Sequence, residues 1–151
     1  MPQSFSGVHS ILVPVDGSEA SYRAVAVAAE TAKRAKAHLH LIHVIEVPRS
    51  IPLDAPLEGE LQRGEAYLER AEQIASEYGV AVEGDLVQAR QAGHAVVDEA
   101  VERGVDAIIL GIDYHRPFGR FELGRLPQYV LEHSPAQVWL IRYPAPDAPR
   151  R

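Results

Sequence analysis

Ile11-Leu-Val-Pro-Val-Asp-Gly-Ser18 and Asp106-Ala-Ile-Ile-Leu-Gly111 decide the fold of this chain. Each is a short apolar run that stops in a polar, glycine-containing turn. Runs of about four to eight aliphatic and β-branched residues suit strands covered by helices on both faces of a parallel sheet, where no polar alternation is needed. Ligands of such sheets bind beyond the carboxyl ends of the strands, so the two turns together point to a nucleotide site.

Outward from these runs, apolar segments alternate with helical periodicity. Ile11–Val15 reads as a first strand. Ser18–Lys36 reads as a helix with Ser18 as its N-cap and Ala24, Val25, Ala28, Ala29 and Ala32 on one face. Leu39–Ile45 is a second strand, and Pro48, Pro52 and Pro56 then make a loop expected to be mobile. Glu58–Tyr78 has helical spacing and an acidic start, and Gly79 ends it. Val80–Ala89, Ala107–Leu110 and Gln137–Arg142 read as strands, and Gly93–Arg103 and Gly124–His133 as helices. With right-handed crossovers, this β-α-β-α-β-α-β-α-β order gives one α/β doubly wound three-layer sandwich. The domain spans 8–143, with 1–7 and the Pro-rich 144–151 expected as flexible termini.

The chain has 151 residues, 46% hydrophobic and 24% charged, an ordinary composition for one domain with a single core. It has no cysteine, so disulfides, thiolate metal sites and cysteine nucleophiles are excluded. No stretch approaches the roughly twenty apolar residues of a membrane span, and Met1–Ser10 lacks the regions of a signal peptide, so a cytoplasmic location is expected. A formal charge of −6 argues against general affinity for nucleic acid or anionic lipid.

Ile11–Ser18, His43-Val-Ile-Glu46, Asp106–Gly111 and Ser134-Pro-Ala-Gln-Val-Trp-Leu-Ile-Arg142 fall in the order and at the spacings of the universal stress proteins, which the chain resembles over roughly 8 to 143. The resemblance implies a five-stranded parallel sheet of order 3-2-1-4-5, a homodimer through the last strand and, in one subgroup, bound ATP. In such a site Pro14, Val15 and Asp16 would face the adenosine, and Val44 would offer backbone groups to the adenine edge. The phosphates would lie on a glycine loop after the fourth strand, where backbone N–H groups and a helix N-terminus stabilise anionic oxygens.

The ATP-binding subgroup writes that loop as Gly, two residues, Gly, nine residues, Gly, then Ser or Thr. The equivalent positions here are Gly111, Tyr114, Gly124 and Arg125, so the second and fourth depart. Tyr114 either costs roughly 1–2 kcal/mol in a left-handed conformation or sends the loop elsewhere. Arg125 replaces a capping hydroxyl with a long cation. Arg116 and Arg120 join it in a local cationic excess able to hold phosphate in place of the missing groups. The same arginines can equally be solvated or paired with Glu122 and other surface acids. An adenine nucleotide (ATP, AMP, a cyclic nucleotide or a dinucleotide) is the expected ligand, with Mg2+ only alongside ATP.

Other polar residues carry weaker signals. Asp16 at a strand end suits a turn acceptor for the N–H groups of Gly17 and Ser18 as well as a ligand contact. His38 and His40 share one strand face and His43 takes the other, so they do not converge on a metal. His94 reads as surface or capping, and Trp139 as core or interface. The common hydrolase, phosphoryl-transfer and zinc-protease signatures are absent and no general base is evident, so the chain is not expected to be an enzyme. Two readings remain open: a nucleotide-responsive regulatory dimer, and a nucleotide-independent interaction or stress-response adaptor with an unidentified protein partner.

Overall fold

Ile11, Leu12 and Val13 are fully buried because they form the middle strand of a sheet packed on both faces. The computed structural model describes residues 7–145, so the flexible termini expected at 1–7 and 144–151 lie, apart from Gly7, Pro144 and Ala145, outside the described residues. The elements are β1 (Ser10–Pro14), α1 (Glu19–Ala35), β2 (His38–Glu46), α2 (Glu58–Glu77), β3 (Val82–Ala89), α3 (Ala92–Arg103), β4 (Ala107–Ile112), α4 (Arg125–His133) and β5 (Gln137–Arg142). The sheet has the order β3-β2-β1-β4-β5 and is parallel throughout.

Two apolar layers follow from the two-residue period of the strands. Ile11, Val13, Leu39 and Leu41 pack beneath α1 and α2 with Val25, Ala28 and Leu68. Leu12, Ile42, Ile108 and Leu110 face α3 and α4 with Val96, Ala100 and Val130. The first two crossovers therefore cover one face and the last two the other, which puts the reversal of winding between β1 and β4. Alanines at 24, 28, 29 and 32 let α1 lie close to the sheet.

Local signals set the helix ends. Ser18 Oγ accepts the Ser21 N–H at 3.1 Å and starts α1. Lys36, at φ 55, closes α1 in a left-handed turn that returns its N–H to the Ala32 carbonyl. Gly79 and Gly104 supply the left-handed turns after α2 and α3. The loop after β2 is irregular, as its prolines require, yet it is pinned rather than loose. Arg90 donates to the carbonyls of Pro48 at 2.6 Å and Ile51 at 2.9 Å, and Gln88 Nε2 donates to those of Leu53 at 2.8 Å and Ala55 at 3.0 Å.

His40 and His43 lie on opposite sheet faces. His40 Nδ1 accepts from Arg103 of α3 at 3.1 Å, whereas His43 lies against Gly64 and Tyr67 of α2. Arg103 also bonds Glu99 at 2.5 Å and contacts Asp85, with Glu83 at 3.7 Å, tying edge strand β3 to α3. Burial, then the Arg103 cation, hold the His40 pKa below the ordinary histidine range, against the opposing pull of Glu83 and Asp85. The unfolded chain therefore takes up this proton first. The His40 contribution to stability is full above its unfolded pKa of about 6.5 and is lost as pH falls from there through the lower folded value. We expect the urea midpoint to fall between pH 7.5 and pH 5.5 more steeply in the native protein than in His40→Gln; equal slopes would contradict the assignment.

Candidate functional site

Where β1 and β4 part, their carboxyl ends open a cleft of about 140 Å3. Val15 leaves β1 with its N–H on the Ile42 carbonyl at 2.8 Å and its side chain buried. Asp16 then turns the chain, its Oδ1 accepting the Ser18 N–H at 2.9 Å, so the turn-acceptor role is present. Gly17 follows at φ 84, and a Cβ there would lie 2.6 Å from the Tyr67 ring. Pro14, Val15, Asp16, Val44 and Gly111, named from the sequence, all line this cleft, joined by Leu126 and Pro127 of α4.

The backbone of Val44 is directed usefully. The Ile42 carbonyl is taken by Val15 N–H, and β1 pairs with β2 no further than Pro14 opposite Ile42. By the two-residue period, the N–H and C=O of Val44 point the same way, past the end of β1 and into the cleft region. A planar group with one donor and one acceptor edge fits that pair.

Gly111 has a structural reason to lack a side chain. A Cβ there would overlap the Ala20 carbonyl oxygen and lie 2.9 Å from its carbonyl carbon. Its φ is not positive, so close approach of α1, rather than a special turn, requires glycine here. Gly124 differs: it sits at φ 92, ψ 158 at the N-cap position of α4, a region essentially reserved for glycine, with no side-chain cap.

The intervening loop takes its own path. Tyr114 is not left-handed, so of the two expectations for this residue the loop has gone elsewhere. Its ring stacks with Phe121 at 5.8 Å, and the Arg142 guanidinium lies 4.6 Å from the Tyr114 centroid. Arg116 bonds the Gly119 carbonyl and lies 5.7 Å from the Tyr114 ring. Neither Arg116 nor Arg120 lines the cleft, and both are exposed. Arg125 is 91% exposed, with Nη2 3.8 Å from Glu46 Oε1.

Glu46 is a residue whose part the sequence left unread. Its Oε2 accepts the Ala92 N–H at 2.9 Å, serving the start of α3, while its other oxygen faces Arg125. These residues, with His94, Leu126 and Tyr129, line a groove of about 150 Å3 that shares Ala92 and Leu126 with the cleft. His94 is exposed and stacks on Tyr129, which stacks in turn on His133. A polar residue closing an apolar strand, as Asp16 does, was the available signal for Glu46. Ser21, the one buried polar side chain among the described residues, had no such signal. A groove of about 390 Å3 beside β3 and α3 shares no residue with the cleft. No group of three or more His, Cys, Asp or Glu among the described residues could hold a metal ion.

These features define a doubly wound α/β protein with a cleft at its topological switch point. The profile of the universal stress protein family matches residues 7–142, and the chain belongs to that family. It is 31% identical to a universal stress protein of Thermus aquaticus, over 88% of this chain and 98% of that one. Among solved structures, a universal stress protein of Archaeoglobus fulgidus superposes with a TM-score of 0.76 at 23% identity, covering 87% of this chain and 97% of that one. A universal stress protein in complex with cAMP superposes with a TM-score of 0.67 at 25% identity, covering 89% and 96%. The expected sheet order is the observed one, and no helix among the described residues is long and apolar enough to cross a membrane.

If Gly111 is fixed by the approach of α1, Gly111→Ala must push α1 from β4. We expect a loss of about 2–3 kcal/mol of unfolding free energy in urea titration. A change within about 0.5 kcal/mol, the range of ordinary surface substitutions, would contradict this reading.

Proposed function

We propose that this universal stress protein is a nucleotide-responsive regulatory dimer that binds an adenine nucleotide, or a related phosphate ligand, in an altered site and does not turn it over. The carrying observation is the cleft itself: Val15 and Asp16 on one side, Gly111 on the other, and the Val44 backbone directed past the end of β1. In this reading the base meets the Val44 N–H and C=O, and the ribose lies by Asp16. The phosphate reaches the start of α4, where the helix N-terminus and Arg125 favour an anion. The relative bound to cAMP supports a ligand of this class.

The altered loop favours a short phosphate chain. Tyr114 is committed to Phe121 and Arg142, and Arg116 to Gly119, so this loop is not shaped around a triphosphate. Among the described residues, Asp16 is the sole ionisable one lining the cleft, and it accepts the Ser18 N–H. One carboxylate engaged in a turn supplies no acid–base pair, which supports a binding role over a catalytic one.

A second reading, a protein-binding adaptor without nucleotide, is favoured by the same loop. Phe118 is 84% exposed and Phe121 38%, which suits a contact with another protein. The cleft is also smaller than the roughly 300–1,000 Å3 of drug-sized ligand sites.

Thermal melting with AMP, cAMP and ATP separates the two. Ligand at about 100 times its Kd stabilises the native state by about 2.7 kcal/mol. The melting temperature should rise with at least one nucleotide, and Asp16→Ala and Arg125→Ala should reduce the rise. No shift at millimolar nucleotide would contradict binding and favour the adaptor.

Assembly is inferred from the sheet edge. β5 ends the sheet with half-buried Val138, Trp139, Leu140 and Ile141, an apolar edge that self-pairing about a two-fold axis would cover. Sedimentation should give a dimer at micromolar concentration, with Trp139→Glu shifting it toward monomer; a monomeric native chain would contradict the assignment.

A further inference from the structure

The peptide joining Val15 to Asp16 is held at both ends by side chains, one from His43, which does not line the cleft, and one from Ser21, which borders it. At one end His43 Nδ1 lies 2.6 Å from the Val15 carbonyl oxygen. A carbonyl only accepts, so the hydrogen is on Nδ1 of His43. At the other end the Asp16 N–H points to Ser21 Oγ at 3.4 Å, and that hydroxyl spends its own hydrogen on the Ser18 carbonyl at 2.8 Å. Ser21 is 3% exposed, so its oxygen has been taken from water to serve this turn.

His43 is itself fixed by α2. Its ring meets Tyr67 edge-on at 5.3 Å between centroids, and a Cβ on Gly64 would come 2.6 Å from its Cδ2. Tyr67 also fills the space beside Gly17 that any side chain would need. The imidazole thus touches the back of the turn whose front lines the cleft. It reaches there from the opposite sheet face to Val44, which packs with the α3 and α4 layer. Neither His43 nor Tyr67 lines the cleft.

We propose that His43 and Ser21 are positioning residues that clamp the Val15–Asp16 peptide. They draw the Val15 carbonyl away from the cleft and set the direction of the Asp16 carboxylate. The ligand-affinity part of this claim rests on the nucleotide reading above; the clamp itself does not. A donor at Nδ1 is what the turn needs, and an asparagine amide can supply one from nearly the same position. A leucine of similar bulk cannot.

The test uses the full chain with His43→Asn, His43→Leu and Ser21→Ala. Without ligand, 1H–15N spectra should show Asp16 and Gly17 at native positions in His43→Asn. Those signals should be displaced or broadened in His43→Leu and Ser21→Ala, and the ring nitrogens of native His43 should show the Nδ1–H tautomer. With AMP or cAMP, His43→Leu and Ser21→Ala should bind about three- to tenfold more weakly, the loss of one hydrogen bond, and His43→Asn within about twofold of native. Native Asp16 and Gly17 signals in His43→Leu, or equal behaviour of the Asn and Leu variants, would overturn the proposal. If His43→Leu does not fold, the ligand-free Asp16 and Gly17 signals of Ser21→Ala against the native chain decide it. A native chain that binds no nucleotide refutes the functional reading alone, since the ligand-free spectra still report the clamp.

Discussion

The cleft at the carboxyl end of the sheet depends on how closely α1 approaches β4. Gly111 gives up a side chain so that the Ala20 carbonyl can occupy its place. That contact fixes where the first turn of α1 begins, and hence where Asp16, Gly17 and Ser18 lie against the end of the sheet. Move α1 outward by the width of a methyl group and the cleft between Val15 and Gly111 changes shape. Protein interiors are dense enough that such a shift would be felt by the whole layer above β1.

Around that contact the polar groups are mostly spoken for. Asp16 serves Ser18, Ser21 serves Asp16, Glu46 serves Ala92, and Arg116 serves Gly119. A site whose side chains already satisfy its own backbone is stiff, which favours recognition by shape and backbone groups over recognition by many charged contacts. Arg125 is the exception. It stands 91% exposed at the start of α4 and near a single carboxylate, well placed to meet an anion without first losing a buried partner.

The fold was legible because the strongest local signals agreed with the global one. Fully apolar runs gave buried parallel strands, alanine spacing gave α1, and glycines gave the helix ends. Boundaries moved by one or two residues, as at β2, where His38 and Glu46 extend the strand beyond Leu39–Ile45. Family resemblance supplied the sheet order, which periodicity alone cannot. The cleft residues were legible as chain positions after strands, but their reasons were not. Gly111 reads in sequence as a phosphate-loop glycine, whereas its packing against Ala20 belongs to tertiary structure. The Pro48–Pro56 segment reads as mobile because prolines exclude regular pairing; only the fold brings Arg90 and Gln88 to its carbonyls. His43 was legible only as facing away from His40, since its acceptor is 28 residues distant in sequence.

The most direct test of the account is a crystal structure of the full chain grown with AMP. We predict the base edge on the Val44 N–H and C=O, the ribose beside Asp16, and the phosphate at the start of α4 next to Arg125. AMP lodged instead in the groove beside α3 and β3, or a cleft left empty at millimolar AMP, would contradict it.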